Sequence, residues 1–159
     1  MSNVTVDPSS AADSGTTGPA TQPDLSWVVA GLSAAAGVIH IAMTPIHGGS
    51  GLIDPLGFAL VGLFQLLVAG AILSGRASRL TYAASIAVNA ATLGIWWWSR
   101  TYGMPWGSHR GIVESYGVVD VTTAVLEVAL IVLCVRLLVA HDPPTEPRRA
   151  GRVAPALLA

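Results

Sequence analysis

Residues 116–139, YGVVDVTTAVLEVALIVLCVRLLV, carry two acids, Asp120 and Glu127, and one base, Arg136, in an otherwise uncharged and largely apolar run. A hydrocarbon core of about 30 Å needs roughly 20 helical residues at 1.5 Å of rise each, and this stretch exceeds that. It reads as a membrane-spanning helix. Working towards the N-terminus, residues 80–98, 56–74 and 27–44 form three more apolar segments. The first two spans are a little short, which flanking Trp27 or a thin bilayer absorbs.

Composition agrees with that reading. The chain has 159 residues, of which 52% are hydrophobic and 11% charged, with a mean hydropathy of +0.62. A soluble domain carries about a quarter charged residues, and a soluble bundle would need charged outer faces that the first three segments lack. All eight basic residues are arginine and the formal net charge is −1, with no basic block able to track a phosphate backbone. Nucleic acid is therefore not an expected partner. The single Cys134 rules out an internal disulfide or a thiolate cluster and reads as a space-filling residue.

The expected organisation is all-α: an up-down bundle of four transmembrane helices spanning residues 26–140, between polar tails at 1–25 and 141–159 that read as disordered. The first tail has no basic residue, so it lacks the charged n-region of a cleavable signal. With an even number of spans, both tails share a side with the loop between helices two and three. That side holds Arg76, Arg79, Arg136, Arg148, Arg149 and Arg152 against Arg100 and Arg110 opposite, which predicts cytoplasmic termini and a plasma-membrane location. Trp96, Trp97, Trp98, Tyr102 and Trp106 then form an aromatic belt at the outer interface.

Polar side chains inside a span normally point into the bundle. Helical spacing groups Asp120, Thr123, Glu127 and Cys134 on helix four. It groups Tyr82, Ser85, Asn89, Thr92 and Trp96 on helix three, Gly62, Gln65 and Ala69 on helix two, and Ser33, Ala36, Gly37, His40 and Thr44 on helix one. Ser33 and Gly37 make a small-x-x-x-small pattern that permits close helix approach. Counting residues from the outer ends places His40 about 7 Å and Asp120 about 6 Å deep, with Gln65, Asn89 and Glu127 near 15 Å. His40 is thus expected to face Asp120, with Glu127 in a deeper layer, where an ionised carboxylate is costly unless it is neutral, paired or solvated by an internal water.

The candidate ligand pocket or polar network comprises His40, Gln65, Asn89, Arg100, Glu114, Asp120 and Glu127, with His40 and Asp120 as candidate metal ligands. Imidazole and carboxylate suit Zn or Cu(II) better than Cu(I), although no two histidines have a recognised ligand spacing. Pro45 separates His40 from His47, so His47 is read as an outer-loop residue. No catalytic motif is present and no cofactor is firmly implied. The sequence therefore favours a non-enzymatic integral membrane protein whose outer pocket takes a small ligand, a metal ion or a partner subunit. The alternatives are an accessory haem-, quinone- or copper-binding subunit of a membrane oxidoreductase and an oligomeric proton or metal carrier. Expected partners are the lipid bilayer and a membrane-protein partner or a second copy.

His40 with Pro45 and His47, Gly62 with Gln65, Ser99-Arg100-Thr101 with Gly103, Pro105 and Gly107, and Glu114 followed by Gly117, Asp120, Leu126 and Glu127 form a recurring set. On these residues the chain resembles a family of small uncharacterised actinobacterial four-helix membrane proteins, over about residues 27–139. The resemblance implies the architecture and singles out those positions without implying a substrate. Family members tend to have an acid beside the first-loop histidine, where this chain has His47-Gly48-Gly49-Ser50.

Overall fold

A computed structural model describes residues 24–107 and 110–140. The expectations for the tails at 1–23 and 141–159, and for His109, lie outside the described residues. Four helices follow one another: α1 (Leu25–Met43), α2 (Ile53–Leu73), α3 (Arg79–Thr101) and α4 (Val118–Ala140), with one 3-10 turn at Gly48–Ser50. No strand occurs among the described residues, so the all-α class holds.

Local sequence sets the helix ends. Asp24 caps α1 by accepting the Ser26 N–H at 3.0 Å, and that contact holds its carboxyl below the ordinary carboxylate range. Ser78 caps α3 in a capping box: its Oγ accepts from the Thr81 N–H while Thr81 Oγ1 accepts from the Ser78 N–H at 3.0 Å. Gly75, at φ +68°, ends α2 in a Schellman motif, with Gly75 N–H on Ile72 O and Arg76 N–H on Ala71 O. Pro45 comes just after the Thr44 C-cap of α1 and the chain turns there, with His47 N–H on Met43 O.

The helices form a ring in chain order. Packing is closest between α1 and α2 and between α3 and α4; α1 against α4 is intermediate, and α2 against α3 is the loosest side. At the α1–α2 crossing Gly37 and Gly62 meet so closely that a Cβ built on either would lie 2.9 Å from the other's carbonyl oxygen. Next to it, Ser33 Oγ donates to Gln65 O at 2.7 Å. This is the close approach that the small-residue pattern on helix one predicts.

Burial is inverted relative to a soluble bundle. Ser33, His40, Gln65, Ser85, Asn89 and Glu127 are buried, whereas Leu60, Leu63, Leu67, Val125, Val128 and Val132 are exposed. On α4 the segregation is by residue type: every exposed large hydrophobic is a valine, and Leu126, Leu130, Leu133 and Leu137 turn inward or lie half-buried. Val29, Val68, Ile72, Tyr82, Leu130 and Cys134 form an apolar core that fills the end of the bundle away from the α1–α2 and α3–α4 loops.

Three helices, α1, α2 and α4, are long and apolar enough to cross a membrane; α3 falls short on hydropathy. The reason lies in its composition: α3 contributes the buried Tyr82, Ser85, Asn89 and Ser99 and carries Arg100 in its last turn.

Candidate functional site

At the end of the ring that carries the α1–α2 and α3–α4 loops, the four helices enclose a cavity of about 310 Å³. Its wall includes His40 from α1, Phe58 from α2, Trp96 and Arg100 from α3, and Asp120 and Glu127 from α4. α1, α3 and α4 thus turn polar side chains towards one space, α2 adds a largely apolar wall, and the loops add His47, Trp106 and Glu114 around the rim.

The floor is a histidine–carboxylate pair. His40 Nδ1 donates to Ala36 O at 3.0 Å, and because a carbonyl only accepts, that nitrogen carries the proton. Nε2 is left facing Glu127 Oε1 at 3.5 Å, beyond ordinary hydrogen-bond length, with both side chains almost completely buried. A single proton between Nε2 and the carboxyl leaves the pair neutral overall, either as imidazole with carboxylic acid or as imidazolium with carboxylate. Behind the pair, Gln65 Nε2 donates to Asn89 Oδ1 at 3.0 Å, and Asn89 Nδ2 donates to Ser85 O at 2.7 Å.

The roof is an arginine clamp. Arg100 Nη1 donates to Glu114 Oε2 and to Ser99 Oγ, both at 2.6 Å, and Nη2 lies 2.7 Å from Asp120 Oδ2. The guanidinium carbon sits 5.6 Å from the centre of the Trp96 ring. Gly103 makes this geometry possible: at φ +74° it lets the loop fold back so that Gly111 N–H reaches Met104 O, and a Cβ there would lie 2.6 Å from Gly111 C. The returning chain then places Glu114 beside α3, with its N–H on Ser99 O.

The expected His40–Asp120 pairing is not what forms. Asp120 turns to Arg100 and accepts the Gly117 N–H at 3.2 Å, while His40 faces Glu127. Counting Cα depth misses the cause: Cα–Cβ bonds tilt towards the N-terminus of their own helix. On antiparallel α1 and α4 that tilt drops the His40 ring away from the loops and lifts the Glu127 carboxyl towards them, so residues counted into different layers meet. The same tilt carries Asp120 up to Arg100.

As for the metal reading, no group of three His, Cys, Asp or Glu side chains converges among the described residues. His40 and Asp120, the two candidate ligands, turn to different partners. Conversely, His47, which the sequence demotes to a loop, stacks on Phe58 with ring centres 4.1 Å apart, and Trp106 Nε1 donates to Asp54 Oδ1 at 3.1 Å. Phe58 and Gly57 carry no sequence signal, being ordinary apolar-helix residues that become wall only when α2 faces α3. Four buried polar atoms have no hydrogen-bond partner: Gln65 Oε1, Trp96 Nε1, Arg100 Nε and Glu127 Oε1. The last three belong to residues that line the cavity.

No family model, curated protein or solved structure matches this chain, so the resemblance noted above rests on its sequence motifs alone.

Proposed function

We propose that this protein is an integral membrane protein of the plasma membrane, with all four helices crossing the bilayer and both termini cytoplasmic, whose outer-half cavity binds a small ligand. The observation that carries the reading is the cavity itself: apolar and aromatic walls with a few convergent polar atoms, three of them buried without partners. The inverted burial pattern supports insertion of the whole bundle. It extends to α3, whose low hydropathy comes in large part from side chains turned inward and from a tryptophan belt suited to the interface. The arginine bias supports the orientation, which puts the cavity on the outer side.

His40, Asp120, Arg100 and Glu114 with Glu127 beneath form the polar lining around the ligand in this reading, and Gln65 and Asn89 brace the floor. Packing alone is the competing account of the floor; it does not explain why the bundle leaves a cavity above it. His40 offers only Nε2, and Glu127 occupies that direction, so the geometry adds nothing to an accessory haem or copper role.

Carbonate extraction of membranes, a C-terminal reporter fusion and native mass spectrometry in mild detergent test the proposal together. The expected result is a carbonate-resistant protein with a cytoplasmic C-terminus that retains one small molecule per chain, or takes one up from a fragment panel with a thermal shift. Release by carbonate, an outer C-terminus, or no retained and no acquired ligand would overturn it.

A further inference from the structure

The cavity's chemistry narrows what it takes. Resting on the reading of the cavity as a ligand site, we infer that the ligand is a neutral, lipid-soluble ring compound bearing a carbonyl or hydroxyl oxygen, and that it enters sideways from the bilayer between α2 and α3.

Charge comes first. Arg100 is the cationic residue of the wall, and it already engages Asp120 and Glu114, which leaves no surplus positive charge for an anion. Those two carboxylates share Arg100, and Asp54 accepts from Trp106, so each of these acids already holds a hydrogen-bond donor. The His40–Glu127 pair is neutral overall when it holds one proton. The wall sums to a formal charge of −2, Arg100 against Asp54, Glu114 and Asp120, so an anion is repelled, and a cation would have to shed its hydration to arrive through acyl chains.

Shape and polarity come second. Phe58, Trp96, Trp106 and His47 contribute ring faces and edges to the wall, which suits a flat ring. Trp96 Nε1 and Arg100 Nε are buried donors with nothing to donate to, on side chains that line the cavity, and a ligand oxygen satisfies one of them when the wall shifts to uncover it. At the floor, the unpartnered Glu127 Oε1 gives the ligand a second polar contact, as acceptor to a hydroxyl or, when protonated, as donor to a carbonyl.

The entrance comes third. α2 against α3 is the loosest side of the ring, and cavity-lining Ile53, Gly57 and Ile95 are exposed there, with Ile53 and Ile95 60% and 51% accessible. A Cβ on Gly57 would meet nothing within 4 Å, so the mouth is open at that point. In the proposed orientation this flank faces acyl chains, and a compound dissolved in the bilayer reaches it without crossing water.

The test uses the full chain in nonionic micelles and four probes: 2,3-dimethyl-1,4-naphthoquinone, 2,3-dimethylnaphthalene, naphthalene-2-carboxylate and dodecane. Equilibrium dialysis against wild type, Trp96→Phe and Gly57→Phe reads the affinities. The quinone is expected to bind about five- to tenfold more tightly than the hydrocarbon of the same ring, a hydrogen bond's worth of preference. Trp96→Phe should shrink that preference while keeping the ring. Gly57→Phe, at an exposed position with room for the side chain, should slow uptake of every neutral probe, read as the rate of tryptophan quenching after rapid mixing. Equal binding of quinone and dimethylnaphthalene, or preference for dodecane, leaves a ligand site but makes it a plain acyl-chain groove and overturns the inference. Preference for the carboxylate overturns it as well. Unslowed uptake in a folded Gly57→Phe refutes the lateral entrance, and failure of all four probes with no co-purifying molecule removes the ligand-site reading itself.

Discussion

Replacing Gly37 or Gly62 by alanine is expected to cost stability while the same change at Gly70 or Gly31 does not. A Cβ on Gly37 would lie 2.9 Å from Gly62 O and 3.0 Å from Leu66 Cγ; one on Gly62 would lie 2.9 Å from both Gly37 O and Ile41 Cγ1. Even a favourable carbon–oxygen contact needs about 3.3–3.6 Å, so α1 and α2 must part by roughly half an ångström. Overpacking of that kind costs about 1–3 kcal/mol, offset by about 0.5–1 kcal/mol of helix propensity gained on losing a glycine. The net loss for Gly37→Ala or Gly62→Ala is therefore about 0.5–2 kcal/mol. At Gly70 and Gly31 nothing lies within 4 Å of the added carbon, so only the gain remains. The double variant at Gly37 and Gly62 should cost less than the sum, because one separation of the helices accommodates both methyls. Reversible unfolding in mixed micelles, followed by circular dichroism, measures all of these. If Gly37→Ala and Gly70→Ala shift the midpoint equally, or the double variant is additive, the crossing does not have the tightness described, and the Ser33–Gln65 contact that holds α1 to α2 beside it loses its basis.

Other changes probe the roof, the floor and the first helix end. Arg100→Met leaves Asp120 and Glu114 facing each other in a half-buried site and should cost about 2 kcal/mol, between the values for exposed and buried pairs; adding Asp120→Asn should recover part of it in the same assay. Glu127→Gln keeps the volume and can donate an N–H to His40 Nε2, so it should change stability by under about 1 kcal/mol. Glu127→Leu leaves that nitrogen unpaired and should cost about 1–3 kcal/mol. The Asp24 carboxyl is held below its ordinary value by the Ser26 N–H, so its capping contribution is present above about pH 4 and lost as pH falls through the lowered folded value. Protection of the amides in the first turn of α1, taken relative to the intrinsic exchange rate at each pH, should fall on acidification in wild type and stay level in Asp24→Asn.

Much of the site was legible one helix at a time. Polar residues recurring at three and four on an apolar helix mark its inward face, and Ser33, Gly37, His40, Gln65, Ser85, Asn89 and Glu127 are all buried. Which of them meet was not legible in that way. Pairing across antiparallel helices depends on side-chain tilt, which shifts a group along the axis by an amount that Cα counting ignores. The cavity was harder still, since its wall uses Phe58, Gly57 and Ile95, residues indistinguishable from any others on an apolar helix until two helices are seen to stand apart.

Composition, segment length and the spacing of polar residues by themselves determined an all-α chain of four helices, of which three rather than the expected four are apolar enough for a membrane, and the face each helix turns inward. These follow from solvation, because every residue's transfer cost is set by its own chemistry and its place on a helix. The tertiary structure alone decided that His40 faces Glu127, that Arg100 draws Asp120 and Glu114 together, and that α2 stands off from α3. Those are relations between helices. They depend on the Gly37–Gly62 approach closing one side of the ring and the Gly103 turn folding a loop over another, and no one-dimensional period encodes the distance between two faces.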